Sequence, residues 1–262
     1  MIQIQRNLHS LWLRFCFESV FALGRDPWNY TSPYQQIKYD QVLDLLPFTP
    51  IDRALELACA EGHFTVQLAS HVGKLIAADI SQIALARASK RCRLQKCDNV
   101  HFMHLDLTKN ELPRGFKLIV CSEVLYYVGS RSNLQAVARK LADALEVNGY
   151  LITTNDNRVE DTDQASFDWF RPLGAKAIAQ TLAHTPPLQL LKEIRTPFYS
   201  TYLFQRQEPA NITSPNCPEV ISLTEVESLV PEEGLLDGFS LAAIYNALVR
   251  IRWKCLRGKL PP

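Results

Sequence analysis

Two hydrophobic rhythms alternate along this chain. Short apolar runs, the mark of strands buried on both faces, are separated by stretches whose apolar residues recur three and four positions apart, the mark of helices. The runs are Arg53–Cys59, Lys74–Ile80, Val100–Leu107, Phe116–Ser122 and Tyr150–Asn155. Between them, Phe64, Leu68 and Ala69 predict a helix over His63–Val72, and Ser81 is placed to cap a helix running to about Leu94. Leu134, Val137, Ala138, Leu141 and Leu145 predict another, ended by Gly149. Such an alternation predicts a doubly wound α/β fold, because right-handed crossovers lay helices on both faces of a parallel sheet.

The end of the chain breaks this rhythm. A helix around Gln164–Ala183 is followed by two strand-like segments, Leu188–Ile194 and Tyr199–Arg206. Only Arg195 to Phe198 separates them, too short for a parallel crossover, so they are expected to form an antiparallel hairpin. The whole is then a mostly parallel, seven-stranded, Rossmann-like sheet with a C-terminal hairpin. At the other end, Leu8–Gly24 reads as an amphipathic helix, too short and, with Arg14 and Glu18, too charged to span a bilayer. Pro27 and Pro33 mark a loop, and Ile37, Leu43 and Leu46 outline a helix stopped by Pro47.

Four regions follow: N-terminal helices over 1–50, acting as a lid; the sheet domain over 51–207; a Pro-rich linker over 208–221; and a helical tail over 222–262. Pro209, Pro215 and Pro218 define the linker, and Ser222-x-x-Glu225 matches a capping box. Ser240 is placed to cap a second tail helix ending near Gly258. Its stripe of Leu241, Ile244, Leu248 and Ile251 is expected to dock on the main domain. Arg250, Arg252, Lys254, Arg257 and Lys259 then form a solvated face, or a docking site for a partner or an anionic surface.

Charge narrows the partners. Lys plus Arg total 28 and Asp plus Glu 27, so the basic excess expected of a nucleic-acid binder is missing. The basic run Arg87, Lys90, Arg91, Arg93 and Lys96 reads as the solvated face of its helix. The seven cysteines are odd in number and contain no CxxC pair, which argues against a zinc cluster or a disulfide framework and for a reducing, cytoplasmic setting. Cys59 and Cys121 lie in apolar runs and read as packed small hydrophobes.

The chemistry concentrates after the first strand, at Leu55-Glu56-Leu57-Ala58-Cys59-Ala60-Glu61-Gly62-His63. Small residues between a strand and a helix let the backbone approach a ligand, with helix N–H groups aimed at it. Asp79 ends the second strand, where an acid can accept hydrogen bonds from both ribose hydroxyls, and Asp106 ends the third on the same sheet edge. A dinucleotide fingerprint would need glycine at position 63, which is His63.

The alternate-position pattern Glu56, Ala58, Ala60, Gly62 resembles the first motif of class I S-adenosylmethionine-dependent methyltransferases. The resemblance covers about residues 26–206. It implies S-adenosylmethionine as cofactor, held by that turn, with Asp79 on the ribose, Ile80 beside the adenine, and Asp106 with Leu107 at the adenine edge. Phe116–Tyr127, which includes Ser122, resembles the motif that closes over the sulfonium end. A narrower resemblance, to the nodulation-type (NodS-like) N-methyltransferases, rests on Asp26-Pro27-Trp28 with Tyr30, Pro33, Tyr34, Lys38 and Tyr39, together with Ser122–Tyr127. It implies an amine acceptor on a deacetylated chitin-like oligosaccharide, with Trp28 and Tyr30 near the cofactor.

Catalysis on an amine calls for a group that takes its proton. Glu123 is the first candidate because it follows the fourth strand at the ligand edge. His63 is a second, and Tyr126 lines the pocket; His104, mid-strand, reads as a core histidine. Tyr126 and Tyr127 would face opposite ways if extended, so one of the two is expected in the site. The family usually carries glycine where Ala58 and Ala60 stand. A positive φ there would strain an alanine, and its methyl would crowd the cofactor. A catalytically silent binding module and a nicotinamide-dependent oxidoreductase are the competing readings.

Overall fold

The computed structural model describes residues 2–157, 173–208 and 218–222. Strands β1 (Arg53–Leu57), β2 (Lys74–Asp79), β3 (Val100–His104), β4 (Phe116–Ser122), β5 (Leu145–Asp156), β6 (Leu188–Arg195), β7 (Tyr199–Arg206) and β8 (Glu219–Ser222) form one sheet in the order β3-β2-β1-β4-β5-β7-β6-β8. The first five run parallel, and β7 lies antiparallel to both β5 and β6. Chain order reverses between β1 and β4, so a crevice opens at their carboxyl ends.

Successive side chains of a strand point to opposite faces, and here both faces are covered. On one face Leu55, Leu57, Ile119, Cys121 and Leu151 pack with Leu134, Val137 and Leu141 of α5 (Arg131–Ala144) and Ile178 and Leu182 of α6 (Ala175–Ala183). On the other, Ala54, Leu75, Leu118, Val120 and Ile152 meet Val42 and Leu45 of the α2 region (α2, Pro33–Asp44) and Phe64, Leu68 and Ala69 of α3 (His63–Ala69). Helix α4 (Gln82–Leu94) packs along β2 and β3, its first turn capped by the Ser81 hydroxyl. Helix α1 (Ile2–Leu23) contacts α4. None of the described helices is long and apolar enough to cross a membrane.

Three expectations change. The helix carrying Leu141 stops at Ala144, and Leu145 already pairs with Phe116 in the sheet. Gly149 therefore does not end a helix. It sits in a bulge beside left-handed Asn148, where a Cβ would lie 2.9 Å from the Glu146 and Phe116 carbonyl oxygens. The buried residues of α2 are Lys38 and Val42, with Leu43 packed against the core beside them, so a lysine stands on the apolar side. The sheet has an eighth strand: Glu219–Ser222, inside the expected linker, pairs parallel with β6, where Lys192 meets Glu219 at 3.2 Å. Residues 209–217 of that linker, 164–172 of the expected helix before the hairpin, and the tail beyond Ser222 lie outside the described residues. So do Glu225 of the capping box and the basic residues of the tail.

Candidate active site

A cavity of about 290 Å³ occupies the crevice at the carboxyl ends of β1 and β4. Its floor is the turn that leaves β1. Ala58 (φ 59°) and Ala60 (φ 48°) are both left-handed, so the strain that glycine would avoid is present, at roughly 1–2 kcal/mol each. Tertiary bonds hold the turn: Cys59 N donates to Ala78 O at 3.0 Å, and Ala60 N to the Asp79 carboxylate at 2.9 Å. Asp79, buried at the end of β2, also accepts from Ser81 N at 2.8 Å. Burial outweighs these bonds and pushes its carboxyl up to about 6.

Gly62 has another task. It is left-handed (φ 78°), and a Cβ there would lie 2.9 Å from Cα and Cβ of Ala88, so it lets α3 approach α4 and does not itself line the cavity. The other expected site residues do line it: Trp28, Tyr30, Glu56, Ala58, Ala60, His63, Asp79, Ile80, Asp106, Leu107, Ser122, Glu123 and Tyr126.

Tyr127 lines it as well. Leu125–Val128 is a 3₁₀ turn rather than extended chain, so Tyr126 and Tyr127 stack edge to face with ring centroids 4.5 Å apart on the same side. His104 is exposed at the end of β3, with Nε2 2.9 Å from Ile80 O, and is not part of the cavity.

The lid comes from α1 and the loop before α2. Leu13, Phe17 and Phe21 face the cavity, Phe17 meets Tyr127 edge-on at 5.1 Å, and Trp28 packs between Phe21 and Tyr30. Polar latches fix it. The Glu18 carboxylate takes N–H bonds from Gln82 at 2.8 Å and Ile83 at 3.3 Å, a favourable place for an anion at the start of α4. Ser10 donates to Asp106, which also accepts from the Thr108 hydroxyl and N–H. Although burial acts to raise it, these bonds leave the Asp106 carboxyl below its ordinary value. Buried Glu61 accepts from Asp26 N and from Arg87, which also reaches Gly24 O, while Arg91 donates to Glu61 O. Two residues of the basic run on α4 are therefore structural clamps.

Two buried polar atoms on the cavity wall have no hydrogen-bond partner among the described residues. One is Glu56 Oε2; burial pushes that carboxyl up to about 8, so it is neutral at pH 7. The other is Nε2 of His63, whose ring lies 5.1 Å from Tyr30; desolvation first, and then Arg91, lower its proton affinity.

Glu123 stands at the rim, itself left-handed (φ 55°), with its N–H bound to Thr154 O at 2.8 Å. Its carboxylate is held at both oxygens. Lys38 Nζ donates to Oε1 at 3.0 Å, and the Tyr126 hydroxyl to Oε2 at 2.8 Å. Lys38 is 5 % exposed and its ammonium lies 4.9 and 5.4 Å from the Tyr34 and Tyr199 ring centres. The sequence had set Lys38 only in a resemblance pattern. A lysine four residues from both Tyr34 and Val42, on the apolar face of a helix, was the available signal. Glu61 and Ser10 carried no comparable signal, since their partners are distant in sequence. Cys59 and Cys121 are buried, and burial pushes both thiols up, as inert packed residues require. No cluster of metal ligands occurs among the described residues.

Comparison with known proteins agrees with this geometry. The family model described as Nodulation protein S (NodS) matches residues 21–185. Nodulation protein S of Sinorhizobium fredii is 31% identical over 131 residues, which is 49% of this chain and 60% of that protein. That of Rhizobium tropici is 33% identical over 129 residues, 48% of this chain and 53% of that protein. The alignments thus span between half and two thirds of these relatives. In fold, the chain is similar to the crystal structure of N-methyltransferase NodS from Bradyrhizobium japonicum WM9 in complex with S-adenosyl-L-homocysteine. The TM-score is 0.63 at 24% identity, covering 73% of this chain and 97% of that one. Matched over more than half of its length by that family model, the chain belongs to the NodS family.

Proposed function

We propose that the protein transfers a methyl group from S-adenosylmethionine to the amine of an amino sugar in an oligosaccharide. One observation carries the reading: the left-handed Ala58–Gly62 turn, buried Asp79 and buried Lys38 converge on one cavity at the switch point of the sheet.

The residues fit the cofactor part by part. Asp79 offers a carboxylate to ribose hydroxyls. Ile80, Leu105 and Leu107 offer an apolar slot for adenine, with Asp106 at its edge. Lys38 is the lysine or arginine among the described lining residues, and would hold the carboxylate of the amino-acid end. The orphaned Glu56 Oε2 and His63 Nε2 are polar atoms that a bound ligand would satisfy. Trp28, Tyr30, Tyr126 and Tyr127 supply ring faces that favour a sulfonium.

When bound, the cofactor supplies a methyl group already activated by its positive sulfur. The protein's own contribution is alignment, exclusion of water and care of the acceptor nitrogen. Leu13, Phe17 and Phe21 of α1 exclude water from above. Glu123 accepts an N–H of the acceptor and offsets the positive charge that develops on nitrogen, with Tyr126 fixing its angle. His63, kept neutral, is the group that can take a proton from the incoming ammonium.

Residues 1–50 are then the cofactor lid and 51–207 the methyltransferase domain, whose sheet strand β8 extends at 219–222, with an accessory tail beyond it; a cytoplasmic location goes with a cofactor of central metabolism. Similarity to N-methyltransferase NodS supports the amine acceptor. The test is calorimetric titration with S-adenosylmethionine, S-adenosylhomocysteine and NAD. Saturable binding of the first two with no NAD heat supports the reading. Binding of NAD alone would support the oxidoreductase reading, and binding of none would leave a silent module.

A further inference from the structure

Lys38 is claimed twice. In the structure its ammonium is bonded to Glu123 Oε1 at 3.0 Å, on the acceptor side of the cavity. The proposed function also needs it on the cofactor's carboxylate, since the cavity is otherwise rich in acids: Glu56, Glu61, Asp79, Asp106 and Asp156 line it besides Glu123. We propose that Lys38 is an exchangeable cation that passes from Glu123 to the carboxylate of the cofactor, so that cofactor binding frees Glu123 Oε1 for the acceptor amine. This rests on the methyltransferase reading and extends it from a list of contacts to an order of events.

Three features of the geometry support an exchange. First, Lys38 is held by ring faces as well as by Glu123: Tyr34 and Tyr199 flank the ammonium, and the Tyr199 hydroxyl is anchored to Gln41 at 2.9 Å. The cation therefore stays buried and favourably surrounded while its anionic partner changes. Second, an ammonium has three donors, and Glu123 accepts from one of them. A second carboxylate can be engaged before the first is released. Third, Glu123 keeps an anchor of its own when Lys38 leaves, because the Tyr126 hydroxyl holds Oε2 at 2.8 Å. The freed oxygen then points into the cavity from a backbone fixed to Thr154.

The exchange makes Glu123 a competitor of the cofactor. Neutralising it should tighten binding of any ligand that carries the carboxylate, and leave untouched a ligand that lacks it. Calorimetry with the full chain reads this out using two probes, S-adenosylhomocysteine and 5′-methylthioadenosine; the second keeps the adenosine and thioether but has no amino-acid end. Glu123→Gln should bind S-adenosylhomocysteine about fivefold tighter or better, at the low end of ordinary coupling between sites. Lys38→Met should bind it at least about tenfold more weakly, and adding Glu123→Gln to Lys38→Met should change nothing further. Methylthioadenosine should bind all four proteins alike, which also certifies that each is folded.

Unchanged or weaker S-adenosylhomocysteine binding in Glu123→Gln overturns the exchange, since Lys38 would then stay on Glu123. Equal gains from Glu123→Gln with and without Lys38 would overturn it too, by showing general electrostatics instead. Failure of the parent reading looks different: the wild-type protein would bind neither probe.

Discussion

Replacing Glu56 by Gln should change how stability depends on pH, and the size of the effect follows from its surroundings. Glu56 is 4 % exposed at the end region of β1, its Oε2 has no partner, and burial, with the nearby Asp79 charge, pushes its carboxyl from 4.5 to about 8. In the unfolded chain it ionises near 4.5. Because the folded value is the higher one, folding favours the protonated form. The penalty is absent below pH 4.5, grows as the unfolded chain loses its proton, and is complete above pH 8. Between pH 5 and pH 7.5 it grows by about 3 kcal/mol, at 1.36 kcal/mol for each tenfold step. Glutamine keeps the shape and removes the titration. Urea unfolding of both proteins at the two pH values isolates this group, since the other ionisable side chains are the same in both. Glu56→Gln should gain about 3 kcal/mol on the wild type as pH rises. Parallel pH profiles would refute a buried Glu56 whose carboxyl is raised.

Three further substitutions probe the frame of the site. Ala58→Gly should leave stability within about 1 kcal/mol of wild type in thermal melts, because relief at φ 59° offsets the freer unfolded chain; a loss of more than that would mean the left-handed turn is wrong. Gly62→Ala should cost roughly 2–4 kcal/mol, combining a left-handed alanine with a 2.9 Å approach to Ala88, and Ala88→Gly should recover part of it in the double variant. Glu18→Ala removes the anion that caps α4 and latches α1, so amide hydrogen exchange should rise over residues 9–23 while the sheet stays protected. Unchanged exchange there would show that the other contacts of α1, Ser10 with Asp106 and the packing of Phe17 and Phe21, hold the lid without Glu18.

Much of this was legible in the chain because it rests on local signals. The parallel strands, the Ser81 cap and the antiparallel hairpin follow from apolar runs, one hydroxyl and a connection too short to cross over. His63 in place of a glycine separated the turn from a dinucleotide fingerprint, and Asp79 ends β2 at the cavity, as the apolar run before it implied. Features set by tertiary contact were not legible. The burial of Lys38 on α2 makes sense only once Glu123, Tyr34 and Tyr199 surround it. Tyr126 and Tyr127 share a side because a 3₁₀ turn replaces extended chain. Gly149 serves a bulge in β5, and Gly62 serves helix packing; in both cases the reason is a distant backbone, beside Phe116 or Ala88. Strand β8 emerges from a Pro-rich segment whose composition gave no hint of pairing with β6.

The most direct trial of the proposed chemistry is mass spectrometry of a deacetylated chitin oligosaccharide after incubation with the full chain and S-adenosylmethionine. The site predicts one methyl group added to the sugar bearing the free amine, none on the fully N-acetylated oligosaccharide, and a stoichiometric yield of S-adenosylhomocysteine. An unmodified amine, in a protein that binds S-adenosylhomocysteine in calorimetry, would contradict amino-sugar methylation while leaving the cofactor site standing.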